Sequence, residues 1–354
     1  MDHMMHGGDV WQGNDPSAWL DFSANIRPDG PPDWVKNALM DAMDGLPYYP
    51  DPAMKRAKKA LAEYLELSTA FVLPAAGGIS AIDMATHLES AGMLQFTPCF
   101  AEYARLSENR GTKIGNIPIL TGRHRVGDPA QQAKGRLLEG CTVWLCNPLN
   151  PIGCAFAVGQ IEGLLRQVEA KNGWLIVDEA FIPYCPEHSA VRLLKDHERL
   201  LIAGSMTKIL GIPGVRLGYL CAQPHVLAQI SRYQLTWELS CFAEAVLCGL
   251  PKHKKDVRAY SETNACRRAH LTKGLEGLGA HVYPSEASFV LADFGRPMAV
   301  ISQKLKEKGI LVRQCSNFEG VNDGCHLRLA VKDEQANNRL FGALREAMTC
   351  AENP

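Results

Sequence analysis

The 354-residue sequence has no run approaching the ~18 apolar residues that a membrane-spanning helix needs. Its opening, MDHMMHGGDVWQGNDPSAW, lacks the basic-then-apolar pattern of an export signal, so a cytoplasmic protein is expected. It has no dense run of lysine and arginine either. Thirty-seven basic residues face 38 acidic ones, a formal net charge of −1, whereas a nucleic-acid partner demands a basic face. The short HKKDVR near residue 255 reads as a solvated helix face. Twelve cysteines are many, yet none pair as C-x-x-C and no Cys/His metal-ligand spacing occurs. Neither a disulfide framework nor a metal site is expected. Cys146, Cys221 and Cys248 lie inside apolar runs, as free thiols do in a reducing compartment. Internal repeats and low-complexity segments are missing too.

What is present is ordinary soluble composition, 46% hydrophobic and 21% charged, at a length suited to two domains. CTVWLCNP (141–148) reads as a buried strand that ends at a proline. QIEGLLRQVEAK follows, with Ile161, Leu164, Leu165 and Val168 at helical spacing. WLIVDEAF is a second buried strand, then comes a helix-sized interval, then RLLIAGS. This rhythm predicts an α/β fold with a mainly parallel sheet covered by helices, and ligands gather at the carboxyl ends of such strands. HVYPSEASFVLADF, GILVRQC and HLRLAV read as strands separated by the helices AVISQKLKEKG and EQANNRLFGALREAM, a smaller α+β unit. The expected organisation is an N-terminal arm over 1–45 packing with the small unit, a large domain over 46–255 and a small domain over 256–354. Trp11, Trp19 and Trp34 are expected to pack the arm.

Four polar points follow strands of the larger unit. PAAGGISAIDMATHL opens a helix near Ile79 through glycines, which makes either a plain connection or a phosphate cradle of helix N–H groups. NPLNPIG (147–153) is either a tight turn or a mount for a rigid asparagine amide. Asp178 ends an apolar strand, and is either a helix cap or a buried acid held for a cation. In GSMTKILGIPGVRLGY, Ser205 and Thr207 offer hydroxyls and Arg216 a bidentate fork to a phosphate. Lys208 between them would lose its proton easily and attack aldehydes. A phosphorylated aldehyde whose ring nitrogen wants a carboxylate is pyridoxal 5′-phosphate, and one cofactor accounts for all these residues together.

At these residues, and through the ordered motifs YYPDP, TPCFAEY, NPLNPIG, VDEAF and SMTKILGIPGVRLGY, the sequence resembles the fold type I pyridoxal-phosphate enzymes of the class I/II aminotransferase-like group. The resemblance spans nearly the whole chain. It implies a large domain plus a smaller α+β domain, with Lys208 condensing with the cofactor aldehyde and Asp178 facing the ring nitrogen. Asn150 would bond the phenolic oxygen. Phe100, or Tyr103 in its place, would stack on the ring. Ser205, Arg216 and the Gly77, Gly78 and Ile79 backbone would hold the phosphate. Tyr49 resembles the tyrosine that reaches a neighbour's cofactor phosphate, which implies a homodimer.

Within that family the chain resembles both the histidinol-phosphate aminotransferases and the threonine-phosphate decarboxylases of cobalamin biosynthesis. HGGD (6–9) followed by DFSANIRPDGPP, the proline in GIPGVRLGY, and Phe181 where aminotransferases usually carry a tyrosine favour the decarboxylases. The tail GILVRQCSNFEG…CHLRLAV resembles their paired arginines. Arg328 is then the expected carboxylate anchor, with Arg313, His6, Gly7, Asn25 and Asn150 facing a phosphorylated amino acid. Read without the resemblance, Arg313 and Arg328 are edge-strand residues facing water, and Phe100 is plain core. A cofactor-binding regulatory protein without activity is a further alternative, opposed by the intact lysine, acid and phosphate arginine. Two stretches depart from the family pattern. AAGGIS stands where GNGETE is usual, so an asparagine and two acids are missing, and SANIRP has Arg27 where asparagine is usual.

Overall fold

The computed structural model describes residues 6–12 and 15–352, so residues 1–5, 13 and 14 of the expected arm lie outside it. In chain order the strands are β1 (Leu20–Asp21), β2 (Val72–Ala75), β3 (Met93–Thr97), β4 (Ile114–Pro118), β5 (Leu120–Gly122), β6 (Arg125–Val126), β7 (Thr142–Cys146) and β8 (Trp174–Glu179). They continue as β9 (Leu200–Ser205), β10 (Gly218–Cys221), β11 (His281–Val282), β12 (Phe289–Asp293), β13 (Ile310–Leu311), β14 (Arg313–Gln314) and β15 (His326–Ala330). The helices are α1 (Asp33–Asp41), α2 (Lys55–Leu65), α3 (Gly78–Ala85), α4 (Glu102–Glu108), α5 (Pro129–Ala133), α6 (Val158–Glu169), α7 (Pro224–Ile230), α8 (Cys241–Gly249), α9 (Lys254–Glu276), α10 (Ala299–Glu307) and α11 (Glu334–Glu352). Among the described residues no helix is long and apolar enough to cross a membrane, and the cysteines are free thiols.

The main sheet has seven strands in the order β2-β10-β9-β8-β7-β3-β4. From β9 to β4 neighbours are parallel, whereas β10 runs antiparallel to β2 and β9. The central strands are buried along nearly their whole length, because helices cover both faces and leave no solvent side for alternation. Their carboxyl ends carry Thr97, Cys146, Glu179 and Ser205 to one edge. The interval between β8 and β9 is not the α-helix its length predicts. It forms three short 3-10 turns, Ile182–Tyr184, Pro186–His188 and Ala190–Lys195. Pro183 and Pro186 remove backbone donors that a continuous helix needs.

A second, antiparallel sheet has the order β11-β12-β15-β14. Strand parity splits β12: Val290 and Ala292 enter one apolar cluster, while Phe289 and Leu291 point back into the larger one. In β15, Leu327 and Leu329 join the smaller cluster, so Arg328 between them faces the large unit. The opening residues divide. β1 pairs with β13 and Phe22 enters the smaller cluster, whereas α1 packs on α8 with Val35 in the larger one. Helix α9 crosses between the units: Val257 and Tyr260 belong to the larger cluster, Leu271 and Leu275 to the smaller. Of the arm tryptophans, Trp34 stacks on His253, Trp19 is half-buried, and Trp11 is exposed rather than packed.

Candidate active site

At the carboxyl edge of the parallel strands lies a cavity of about 350 Å³, closed on the far side by Arg313 and Arg328 and on a third side by residues 6–7 and 23–26. Lys208 follows β9 in the connection to β10. Met206 N–H donates to Leu217 O at 3.2 Å, and the Thr207 hydroxyl lies 3.0 Å from Ser205 Oγ and 3.2 Å from Leu217 O. These bonds close a rigid hairpin that projects the lysine into the cavity. Burial pulls the Lys208 ammonium down to about 8, with the nearby Arg216 charge adding to the effect and Asp178 opposing it.

Close approach explains the glycines here. A Cβ on Gly77, whose φ is +87°, would sit 2.7 Å from the Arg216 guanidinium, and one on Gly218 would sit 2.4 Å from the Gly77 carbonyl carbon. Gly77 N–H already donates to Ala75 O at 2.8 Å. Of the three residues expected to hold a phosphate by their backbones, Gly78 and Ile79 therefore face the cavity in the first turn of α3, where N–H groups have no intrahelical acceptor. Gly77 supplies the turn. Ser205 and Arg216 line the same end.

Opposite lies Asp178, buried near the end of β8. Its Oδ1 accepts from Ala180 N–H at 2.9 Å and its Oδ2 from the Tyr103 hydroxyl. Burial raises the Asp178 carboxyl, and those two donors oppose the rise. Tyr103 is fully buried and stacks on Trp144 at 4.8 Å. It is thus the acid's partner and not a second stacking candidate. Phe100 lines the cavity, 5.5 Å from His6 and edge-on to Tyr103. Phe181, also lining it, packs edge-on against Phe289 at 4.9 Å.

The two arginines read from sequence alone as surface residues are both buried. Arg328 donates to Asn150 Oδ1 at 2.8 Å and to Ser23 O at 2.7 Å, and its Nε has no partner. Arg313 donates to Asn317 Oδ1 at 2.6 Å and lies over Phe318. Asn25 Oδ1 is a second buried polar atom without a partner. His6 lines the cavity, but its Nε2 pairs with Glu102 Oε1 at 2.9 Å, and Glu102 is also clasped by Arg105. Gly7 packs against Ser23, where a Cβ would sit 2.1 Å from the carbonyl oxygen. Tyr49, unlike most of the expected site residues, does not line the cavity: it is 79% exposed and stacks on Trp237 at 4.5 Å.

The cavity therefore holds a lysine ready to lose its proton, a buried carboxylate, and a glycine turn beside a hydroxyl and a guanidinium. Beyond them it holds buried polar atoms that lack partners. That donor set fits a phosphorylated aldehyde with a basic ring. Ser23, Glu102 and Asn317 stand inside the quoted stretches DFSANIRPDGPP, TPCFAEY and GILVRQCSNFEG, yet sequence reasoning gave them no role, because they meet the site through tertiary contacts. Tyr103 stood in a quoted motif, yet its bond to Asp178 could not be read there. Among the described residues no cluster of three or more His, Cys, Asp or Glu side chains is suited to a metal ion.

The family model for aminotransferase class I and II matches residues 17–344, and the chain belongs to that family. It is a pyridoxal 5′-phosphate enzyme of fold type I. Over 97% of its length it is 30% identical to threonine-phosphate decarboxylase of Salmonella typhimurium, covering 96% of that protein. It is 32% identical to histidinol-phosphate aminotransferase of Symbiobacterium thermophilum, with 92% of this chain and 90% of that protein covered. Among solved structures, histidinol-phosphate aminotransferase of Clostridium acetobutylicum superposes with a TM-score of 0.86 at 26% identity, covering 92% of this chain and 98% of that one.

Proposed function

We propose that the enzyme decarboxylates L-threonine O-3-phosphate to (R)-1-amino-2-propanol O-2-phosphate, a step of cobamide synthesis. The observation that carries this reading is the facing pair Arg313 and Arg328, two buried guanidiniums in one cavity, which suits a substrate with two anionic groups. Likeness to the Salmonella typhimurium decarboxylase along almost the full length supports it, as does Phe181 in the cavity wall.

When bound, pyridoxal phosphate supplies an electron sink for the bond broken at the substrate Cα. Asp178 would hold a proton at the ring nitrogen, and Tyr103 keeps its second oxygen oriented. Gly78 and Ile79 N–H, Ser205 and Arg216 would hold the cofactor phosphate, Asn150 its phenolic oxygen and Phe100 its ring face. Arg328, braced by Asn150 and Ser23, would bind the substrate carboxylate until carbon dioxide leaves. Arg313, with His6, Gly7 and Asn25, would receive the substrate phosphate. Lys208, poised near pH 8, returns a proton to Cα. Phe181 brings no hydroxyl to the cavity wall, so Lys208 would carry the proton there.

The reading includes a homodimer in the cytoplasm. Tyr49 lies outside its own cavity lining, stacked on Trp237 with Tyr48 and Leu235 also exposed, an apolar surface that suits a second copy, and there Tyr49 would reach the neighbour's phosphate. It also keeps the division into an arm over 1–45, a large domain over 46–255 and a small domain over 256–354.

Likeness to histidinol-phosphate aminotransferases in sequence and fold favours a second reading, transamination of histidinol phosphate. Incubation with O-phospho-L-threonine, with and without 2-oxoglutarate, separates the two. Carbon dioxide with a matching amount of aminopropanol phosphate, independent of the keto acid, is expected. Glutamate formed from histidinol phosphate and 2-oxoglutarate, with no carbon dioxide, overturns the decarboxylase in favour of the aminotransferase.

A further inference from the structure

The turn between β2 and α3 is made of alanine and glycine and has no side chain of its own that could anchor it. It is anchored from far along the chain. Glu238 Oε1 accepts from Ala76 N–H at 2.8 Å and from the Ser80 hydroxyl. Four residues earlier in the same segment, Gln234 Nε2 donates to Pro74 O at 2.7 Å. These three bonds grip both flanks of Gly77–Ile79. The position matters because the turn is tight: φ at Gly77 is +87°, a Cβ there would meet the Arg216 guanidinium, and a Cβ on Gly218 would meet the Gly77 backbone. A glycine pair left untied would sample many conformations, whereas a carboxylate bonded to a backbone N–H and a hydroxyl removes that freedom.

We propose that Glu238 is a positioning residue for the cofactor phosphate, fixing the Ala76–Ser80 turn so that Gly78 and Ile79 present their N–H groups to the cavity. It takes over from a distance the work of the side chains that AAGGIS lacks. The proposal rests on the reading of this cavity as the pyridoxal-phosphate site. Glu238 lies outside the cavity lining, so it acts through the turn and touches no reacting atom.

The test uses the full-length protein freed of cofactor and titrated with pyridoxal 5′-phosphate and, separately, with pyridoxal, which lacks the phosphate. Glu238→Ala is expected to weaken pyridoxal 5′-phosphate about tenfold or more, the worth of one bond to a charged group. Pyridoxal affinity should stay within about twofold, because no phosphate is there to feel the turn. Glu238→Gln keeps a carbonyl oxygen for Ala76 N–H and should restore most of the loss. Unchanged pyridoxal 5′-phosphate affinity in Glu238→Ala overturns the proposal, and so does equal loss of both ligands, which marks a general structural role. Borohydride reduction of wild-type holoenzyme with peptide mapping tests the underlying reading independently. The pyridoxyl label is expected on Lys208, and a label on another lysine overturns the cavity assignment whatever the Glu238 variants do.

Discussion

Arg313 and Arg328 are register partners on the adjacent antiparallel strands β14 and β15, so two buried guanidiniums stand directly opposite each other. Like charges placed so are unfavourable. Burial, with Arg313 adding its charge, draws Arg328 down to about 10. An anion entering the cavity would relieve that repulsion, and under the proposed function part of the charge strain in the free protein would become substrate affinity.

Replacing Arg328 should therefore injure substrate use far more than cofactor binding. Arg328→Ala is expected to lower kcat/KM about 100-fold, the effect of losing one half of a buried charged contact. Pyridoxal-phosphate affinity, read by titration, should change little. Arg328→Lys should not restore activity, because a single ammonium cannot span Asn150 and Ser23 as the fork does. Equal loss of substrate and cofactor would mean that the substrate pocket is misplaced.

Lys208 should take up cofactor with a pH profile of its own. An amine that titrates near 8 is about one-tenth neutral at pH 7 and mostly neutral at pH 9, whereas an ordinary lysine is still charged there. The rate of covalent capture by the cofactor-free protein should rise about tenfold over that interval and then level off. A rate still climbing above pH 10 would contradict the burial of this amine. Lys208→Ala should abolish capture and catalysis together.

Glu179, beside Asp178 on β8, should make stability fall as pH rises. Burial lifts its carboxyl to about 7, although Ser189 and Ala190 donate to it. Between the unfolded value near 4.5 and about 7 the folded state keeps a proton that the unfolded chain has released. Stability contributed by this group is then complete below the unfolded value and is lost as pH rises through the folded one. Glu179→Gln cannot ionise, so in urea unfolding its stability relative to wild type should improve between pH 5 and pH 8 by about 2–3 kcal/mol. A constant difference would show that the buried acid does not titrate.

Gly218→Ala should disturb the phosphate end of the cavity. The added methyl would meet the Gly77 carbonyl carbon at 2.4 Å, a contact that only backbone movement can relieve. Loss of stability of about 1–3 kcal/mol is expected, together with weaker cofactor binding measured by dialysis of the holoenzyme.

Much of this protein was legible from residue order. The buried strands β7, β8 and β9, helix α6, and Lys208, Asp178 and Arg216 at strand ends all follow from local patterns, because an apolar run interrupted by one acid or one lysine marks chemistry at a sheet edge. Other features depend on chain segments that meet only in space. Nothing local says that Arg328 is buried. That follows from strand parity, which sends Leu327 and Leu329 to one core and leaves the arginine facing the other unit, where Asn150 and Ser23 receive it. The antiparallel place of β10, the Tyr103 bond to Asp178 and the hold of Glu238 on the glycine turn join residues tens to more than a hundred positions apart. Periodicity and motifs report on neighbours in the chain, whereas burial, charge pairing and pKa depend on neighbours in space, which form only when the strands and the two units pack together.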